Sequence, residues 1–218
     1  MKLLSINIAL PTDIAYKGKL ISTGIFKRSV EEPVFVAKIN LKGDKQADLK
    51  NHGGEHKAVY AFSSDHYTYW HKVLQNTKLK PGAFGENFTI SGFDESVLHI
   101  GDQLSIGQSI LEITQPRVPC FKLGLAVGNQ NMPRLFIENF ATGAYLRVIQ
   151  EGVVETGSKV ERIKEGLFKV NIKSLFRAYF DKNYPASRSI MERALLIPEL
   201  SCEWRKKLST RLSSVDTL

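Results

Sequence analysis

The sequence contains very few cysteines, and this scarcity excludes several classes of protein. Cys120 and Cys202 are the only two in 218 residues. A disulfide-stapled scaffold needs more cysteines than this, and so does an iron–sulfur cluster held by four thiolates. Because so few thiols are typical of a reducing compartment, we expect a cytoplasmic protein.

Long hydrophobic runs are also missing. No stretch approaches the roughly 18 consecutive apolar residues of a transmembrane helix. The apolar N-terminus is interrupted by Ser5 and Asn7 and followed by Pro11, which favours a first β-strand over a signal peptide. We therefore expect no membrane partner.

Acidic residues are outnumbered by basic ones. With 22 Asp and Glu against 30 Lys and Arg, the formal net charge is +8. Such an excess attracts nucleic acid, anionic lipid or small phosphorylated ligands, or simply forms a solvated basic surface. The sequence has no zinc-finger spacing, RNP-like aromatic stretch or basic heptad helix, so we expect no nucleic-acid partner. The basic cluster near the C-terminus is interpreted as a solvated face and comprises Arg205, Lys206, Lys207 and Arg211.

Short β-favouring runs bounded by turn residues dominate residues 1–163. They predict strands at Leu3–Ile8, Val34–Leu41, Ala58–Phe62, Phe88–Ile90, Gln103–Ile106, Ser109–Thr114, Ala144–Val148 and Lys159–Ile163. Helices are predicted at His66–Gln75, with possible caps in Ser63–Asp65, and at Pro133–Asn139. Many short strands at close spacing indicate a barrel or a sandwich.

The last quarter of the chain changes to helical periodicity. Apolar residues recur at Ile172, Leu175, Phe176 and Tyr179, and this spacing predicts a helix. A second helix is predicted from a capping box formed by Ser189 and Glu192.

A third helix is predicted to begin at Ser201 and to carry Trp204, Leu208 and Leu212. Because three short amphipathic helices are marginal alone, we expect them to pack on the β-rich part. The fold class is then mainly β with α (α+β), with a β domain at 1–163 and a three-helix domain at 164–218.

Two glycine-rich stretches lie close together, at Gly43–Asp48 and His52–Ala58. The backbone N–H groups of Gly53-Gly54, with Lys57 nearby, could form an anion-binding nest. A tight hairpin that uses glycine for positive φ is the alternative. His52 and His56 would share one face of a helix, as in a metal site, but the paired glycines argue against a helix there.

Two further segments combine Gly or Pro with polar groups. Glu86 and Asn87 stand between a glycine-rich turn and a strand, where turn chemistry and ligand recognition are both open. In Gln115–Lys122, two prolines fix the backbone around Arg117 and Cys120. The basic side chains there favour the reactive thiolate of Cys120, whereas Cys202 in the helical tail is interpreted as structural.

Taken together, these segments resemble the MOSC family, named for the C-terminal domain of molybdenum cofactor sulfurase, and in particular its YiiM-like bacterial branch. The matching motifs are Gly43-Asp44-x-Gln46-Ala47-Asp48, His52-Gly53-Gly54-x-x-Lys57-Ala58-Val59, Phe84-Gly85-Glu86-Asn87 and Gln115-Pro116-Arg117-x-Pro119-Cys120-x-Lys122. Gly24–Arg28 also fits that branch, and the tail resembles its 3-alpha domain. The sequence departs from the family pattern at His56, where Asp is common, and at Lys45.

The resemblance implies a β-barrel with a basic cleft that holds a molybdopterin-type molybdenum cofactor. It implies that Cys120 is the catalytic residue and the molybdenum ligand, as a soft thiolate would suit. Cofactor contacts would come from the cations and glycines of the motifs: Arg28, Gly53, Gly54, Lys57, Arg117 and Lys122. His52, Glu86 and Asn87 are expected to hydrogen bond to the pterin or the substrate.

The activity that the resemblance implies is two-electron reduction of small N-hydroxylated compounds, such as 6-N-hydroxylaminopurine-type base analogues. Because the sequence has no flavin, haem or iron–sulfur motif, electrons are expected from a separate reductase, a flavoprotein. The alternative is a module that carries the cofactor, or sulfur as a Cys120 persulfide, without turnover.

Overall fold

The computed structural model of the chain describes residues 1–47 and 53–215. The strands in that part are β1 (Lys2–Ile8), β2 (Thr12–Tyr16), β3 (Lys19–Thr23), β4 (Arg28–Val30), β5 (Val34–Val36), β6 (Val59–Ser63), β7 (Phe88–Ser91), β8 (Gln103–Ile106), β9 (Ser109–Pro116), β10 (Ala144–Gln150), β11 (Gly152–Val154) and β12 (Val160–Lys164). The α-helices are α1 (Tyr67–Val73), α2 (Phe121–Val127), α3 (Met132–Asn139), α4 (Ile172–Phe180), α5 (Ser187–Leu195) and α6 (Cys202–Val215). The predicted α+β class, with a large sheet and C-terminal helices, is confirmed.

An eight-stranded sheet organises the molecule, in the order β12-β8-β9-β10-β6-β7-β1-β4. All neighbours are antiparallel except β6 and β7, which are parallel. The sheet also curls back on itself, because the Leu3 N–H donates to the Ser158 carbonyl at 2.9 Å and the Gly157 N–H donates to the Leu3 carbonyl at 2.8 Å. These bonds join β1 to the start of β12 and close the sheet into a barrel.

The core lies inside this barrel and continues under the helices. Leu104, Leu111 and Leu146 are fully buried on three adjacent strands, and each contributes roughly 1.5–3 kcal/mol by leaving water. The same hydrophobic cluster includes Phe176 of α4 and Trp204 of α6. The predicted packing of the helical tail on the β-rich part is therefore confirmed, while the division at residue 163 stays a prediction.

The helical tail begins and ends close to the predicted positions. The Asn171 side chain caps α4 by accepting the Ser174 N–H at 2.7 Å. The capping box of the second helix was wrong, because α5 already begins at Ser187 and Ser189 lies inside it. Glu192 instead pairs with Arg188 one turn earlier.

Several elements were missed by the sequence patterns or have different bounds from those predicted. The hairpin β2–β3 turns at Lys17-Gly18, both with positive φ, and its weak alternation gave no strand prediction. The run predicted at Val34–Leu41 is a strand only over Val34–Val36. Of the predicted helix at His66–Gln75, α1 forms only Tyr67–Val73, and a 3-10 turn precedes it at Ser64–His66.

Among the helices that the structure describes, none is both long enough and apolar enough to cross a membrane.

Candidate functional site

An open cleft, called here the Cys120 pocket, brings three of the predicted segments together. Five of the predicted site residues line it: Lys57, Asn87, Arg117, Cys120 and Lys122. The cations on its walls outnumber the acids. Among the residues that the structure describes, five cations line the pocket together with one carboxylate, that of Asp44; the cations are Lys27, Lys45, Lys57, Arg117 and Lys122. The lining therefore favours an anionic ligand.

Cys120 stands where strand β9 gives way to helix α2. The Arg117 N–H donates to the Gly143 carbonyl at 3.2 Å and holds the end of β9 beside β10. Cys120 then takes an extended conformation at the N-cap of α2, and its carbonyl accepts the Leu123 N–H at 3.0 Å. The thiol side chain is partly exposed and lies in the wall of the pocket. The sequence predicted the rigid approach to Cys120 but missed α2.

Arg117 is a buried cation with an open donor. Its side chain lies over the rings of Tyr60 and Phe136, with the guanidinium carbon 5.2 and 5.5 Å from their centroids. Burial alone would lower the pKa of Arg117, but Tyr60, Tyr145 and Cys120 outweigh it and raise that pKa, so the group stays charged. Its Nη1 is buried without a hydrogen-bond partner, and leaving such a donor unpaired is costly.

Asn87 belongs to a hydrogen-bonded network in the wall of the pocket. Its amide nitrogen donates to Asp44 Oδ2 at 2.9 Å, and its Oδ1 accepts the Tyr60 N–H at 3.1 Å. Asp44 Oδ1 also receives the Lys27 ammonium at 2.6 Å. Burial lowers the pKa of Lys27, and the ion pair with Asp44 opposes that shift. The network fixes Asn87 and Lys27 in the pocket wall.

The two remaining predicted lysines are held by different parts of the chain. The Lys57 Nζ pairs with Glu203 of α6 and lies 5.8 Å from the centroid of the Tyr145 ring. The Lys122 Nζ donates to the Ser22 carbonyl of β3 at 3.1 Å. Both ammonium groups thus belong to the pocket, although neighbouring elements bind them.

Arg28 and Glu86 are not among the described residues that line the pocket. Arg28 begins β4 opposite Ile8 and is exposed, whereas its neighbour Lys27 reaches the pocket.

Glu86 is fully buried, and its carboxylate accepts four hydrogen bonds, from the Tyr67 hydroxyl, the Thr89 hydroxyl and the N–H groups of Gly82 and Phe84. Burial raises the pKa of Glu86, and the hydrogen bonds from Tyr67, Gly82 and Thr89 oppose that shift.

The glycine pair forms a turn beside the pocket rather than part of its described lining. Gly54 has a φ of 90° and precedes the 3-10 turn Glu55–Lys57. Its N–H donates to Gln46 Oε1 at 3.1 Å, and Gln46 itself lines the pocket. His52 lies outside the described residues, as does Asp48. Within the described ranges, no three His, Cys, Asp or Glu side chains form a group that could hold a metal ion.

Sequence reasoning missed the aromatic wall of the pocket. Tyr60 of β6 and Tyr145 of β10 are direct partners in the ladder, and their rings lie 5.3 Å apart. Their side chains therefore project to the same face, where both line the pocket. The alternation within each strand indicates which face each tyrosine occupies. Only the pairing of β6 with β10 shows that the two rings are neighbours.

Comparison with known proteins connects this geometry to a family. The family model of the MOSC domain matches residues 48–161, which include Lys57, Asn87, Arg117 and Cys120. YflK of Bacillus subtilis is 36% identical over 206 residues, covering 94% of this chain and 93% of that protein. The crystal structure of YiiM from Geobacillus stearothermophilus superposes with a TM-score of 0.80 at 29% identity and covers 97% of this chain and 98% of that one.

A longer fungal protein also matches. The "Reductase" of Gibberella moniliformis is 28% identical over 167 residues, which cover 74% of this chain and 30% of that protein. The match to YflK spans nearly the whole chain, and the family model covers the part of the pocket lining that includes Arg117 and Cys120. On these grounds, the chain belongs to the MOSC domain family.

Proposed function

We propose that this protein is a molybdenum-cofactor-dependent oxidoreductase that reduces small N-hydroxylated compounds, such as 6-N-hydroxylaminopurine-type base analogues. Membership in the MOSC family fits a function associated with the molybdenum cofactor. The relative named a reductase suggests an oxidoreductase-type role. The observation that carries the proposal is the partly exposed Cys120 thiol, which shares one pocket with the buried cation of Arg117.

The residues of the pocket fit a molybdopterin-type cofactor. A thiolate suits a soft metal whose other ligands are sulfur atoms, and we assign this role to Cys120. The cofactor carries a phosphate, and the unpaired Nη1 of Arg117 is a buried donor that such an anion would satisfy. Lys57 and Lys122 add positive charge to the same pocket, and Asn87 offers an amide fixed by Asp44.

When bound, the cofactor would supply two-electron chemistry at the metal. The N–O bond of the substrate breaks, the nitrogen gains hydrogen and the oxygen leaves as water, which consumes two electrons and two protons. The protein's part is to orient the reactants and to stabilise charge. Arg117, held between Tyr60 and Phe136, cannot move far, so it would fix the anionic end of the cofactor relative to Cys120.

We further propose that a separate reductase, a flavoprotein, supplies the electrons. The match to the fungal reductase covers 30% of that protein, so most of its length lies outside the part that resembles this chain. This division is consistent with an electron-supplying unit distinct from the MOSC part. The proposal includes no nucleic-acid or membrane partner.

The test compares Cys120→Ser with Cys202→Ser as a matched control. Cys202 is an exposed cysteine at the start of α6 that does not line the pocket. With a chemical reductant as electron source, Cys120→Ser should lower the reduction of 6-N-hydroxylaminopurine at least about 100-fold, while Cys202→Ser should retain it. Equal activity of the two variants would refute the assignment. Sulfur released from Cys120 by cyanide, without bound molybdenum, would favour the carrier function.

A further inference from the structure

The C-terminal helix reaches the Cys120 pocket through one ion pair. The Glu203 carboxylate of α6 pairs with the ammonium of Lys57, which lines the pocket. The Lys57 side chain is 9% exposed and that of Glu203 is 37% exposed. The pair thus lies at the edge of the pocket, with its ammonium on the buried side and its carboxylate toward the solvent.

Both partners of this pair are tied to the end of the same strand. The Thr114 hydroxyl of β9 donates to the His56 carbonyl at 2.6 Å, directly before Lys57. The Thr114 carbonyl accepts the Ser201 N–H at 3.3 Å, close to Glu203.

A further contact holds the residue after Glu203. The indole N–H of Trp204, which is fully buried, donates to the Pro116 carbonyl at 3.1 Å. Because β9 anchors both sides, the backbones of Lys57 and Glu203 keep a fixed separation, and β9 itself leads directly to Arg117 and Cys120.

An ion-pair partner at the ammonium restrains the position of a lysine side chain in a pocket wall. Its ammonium is a point charge on a flexible four-carbon stem, unlike the pre-organised planar fork of an arginine. Lys57 is restrained by Glu203 on one side, and its ammonium faces the Tyr145 ring at 5.8 Å. Without the carboxylate, the ammonium would gain rotamers that point away from the pocket.

The carboxylate also has an opposing electrostatic effect, since it reduces the positive potential that an anion meets. Because Glu203 is more than one-third exposed, solvent and salt screen this repulsion. Lys57 is mostly buried and acts at shorter range. We therefore expect the restraint on Lys57 to outweigh the screened repulsion from Glu203.

We propose that Glu203 is a positioning residue for Lys57, so that the C-terminal helix α6 contributes to the anion-binding wall of the Cys120 pocket. The inference rests on the proposed function only in taking the pocket as the place of an anionic group, such as a phosphate. The helical tail would then contribute to the pocket as well as to the hydrophobic core.

The experiment measures the affinity of the purified full-length chain for inorganic phosphate by titration calorimetry at physiological ionic strength, where the repulsion from Glu203 is screened. Glu203→Gln preserves shape but removes the charge, and it should weaken binding about three- to tenfold. Lys57→Met should weaken binding at least as much. The double variant should bind no more weakly than Lys57→Met, because Glu203 strengthens anion binding only through Lys57.

The matched control is Glu192→Gln, which removes a carboxylate from an exposed ion pair with Arg188 on α5 and should leave phosphate affinity unchanged. A second readout is the rate at which the Lys57 amine is reductively methylated, measured by mass spectrometry. This rate should rise in Glu203→Gln and stay constant in Glu192→Gln.

The outcomes separate this inference from the proposed function. Phosphate affinity that is unchanged or tighter in Glu203→Gln, with weaker binding in Lys57→Met, would overturn the positioning role alone. Unchanged affinity in Lys57→Met would overturn it together with the anion-binding role of this wall. The predicted coupling in a wild-type protein that never binds molybdenum would support the positioning role while refuting the proposed function.

Discussion

Two segments of this chain look alike in sequence and differ in the structure. Pro81–Thr89 and Gln115–Lys122 both combine Gly or Pro with charged groups, and both matched the family motifs. In the first, the carboxylate of Glu86 is surrounded by four donors from its own protein. In the second, Arg117 is equally buried, yet one of its donors has no hydrogen-bond partner.

This difference separates a polar group that holds the fold from one that, in the proposed function, binds an anionic ligand. A buried polar group whose bonds are complete stabilises its surroundings, whereas an incomplete one costs free energy unless something binds to it. Glu86 fixes the turn before β7 and thereby the neighbouring Asn87. Arg117 stands beside Cys120 with a donor open. The comparison predicts that substitutions at the two positions affect different measurements.

The largest effect on stability is expected for Glu86→Ala. The substitution leaves four donors, including the Tyr67 hydroxyl, without their acceptor. We expect a loss of about 3 kcal/mol in the free energy of unfolding, measured by urea denaturation. Glu138→Ala, in an exposed pair with Arg134, is the control and should cost little. A loss below about 1 kcal/mol for Glu86→Ala would contradict the view that the hydrogen bonds of Glu86 stabilise the fold.

The opposite pattern is expected for Arg117→Met. The unpaired Nη1 of Arg117 carries a desolvation cost that the substitution removes, so the melting temperature should stay within about 3 °C. Phosphate affinity should fall about tenfold, because a charged donor of the pocket is lost. Arg134→Met on the exposed face of α3 should change neither quantity. A large loss of stability with unchanged phosphate affinity would show that Arg117 serves the fold.

A smaller effect, on stability alone, is expected at His66. Burial would lower the pKa of His66, but the hydrogen bond and charge of Glu95 outweigh it and raise that pKa; Asp65 adds to the rise and Lys173 opposes it. A raised pKa means that the folded protein holds this proton more tightly. The pair with Glu95, at 2.8 Å, therefore adds stability below about pH 6.5, the unperturbed pKa, and loses it as the pH rises through the folded pKa.

The measurement at His66 compares the pH dependence of unfolding in wild type and His66→Gln. The stability advantage of the wild type should be largest in mild acid, at about 1 kcal/mol or less, and should disappear at alkaline pH. Phosphate affinity should be the same in both proteins, because His66 is not part of the described pocket lining. An advantage that grows with pH would contradict the assigned sign.

Much of the pocket was predictable because the backbone around its residues is locally constrained. The prolines flanking Arg117 and Cys120 predicted a rigid backbone around these residues, and the structure places both residues in the pocket. The elements that were missed have weak local signals: β2–β3 alternates poorly, and α2 follows a proline-rich stretch. The contribution of Tyr60 and Tyr145 to the pocket could not be predicted from the sequence, since the two residues share a face only through long-range strand pairing.

Neighbouring residues were the hardest to tell apart. Lys27 lines the pocket while Arg28 is exposed, and Asn87 lines it while Glu86 is buried beneath. Successive side chains on extended backbone point to opposite sides, so a register error of one residue exchanges the two roles. Sequence motifs identify such pairs, and the fold decides which member lines the pocket.

In the proposed function, Cys120 binds the metal of a molybdenum cofactor in this pocket. The most direct test is the molybdenum and pterin content of the full-length protein purified from a host that makes the cofactor, with wild type beside Cys120→Ser. The account predicts near-stoichiometric metal and pterin in the wild type and loss of the metal in the variant. No metal in the wild type, from a host that loads a control enzyme, would contradict it.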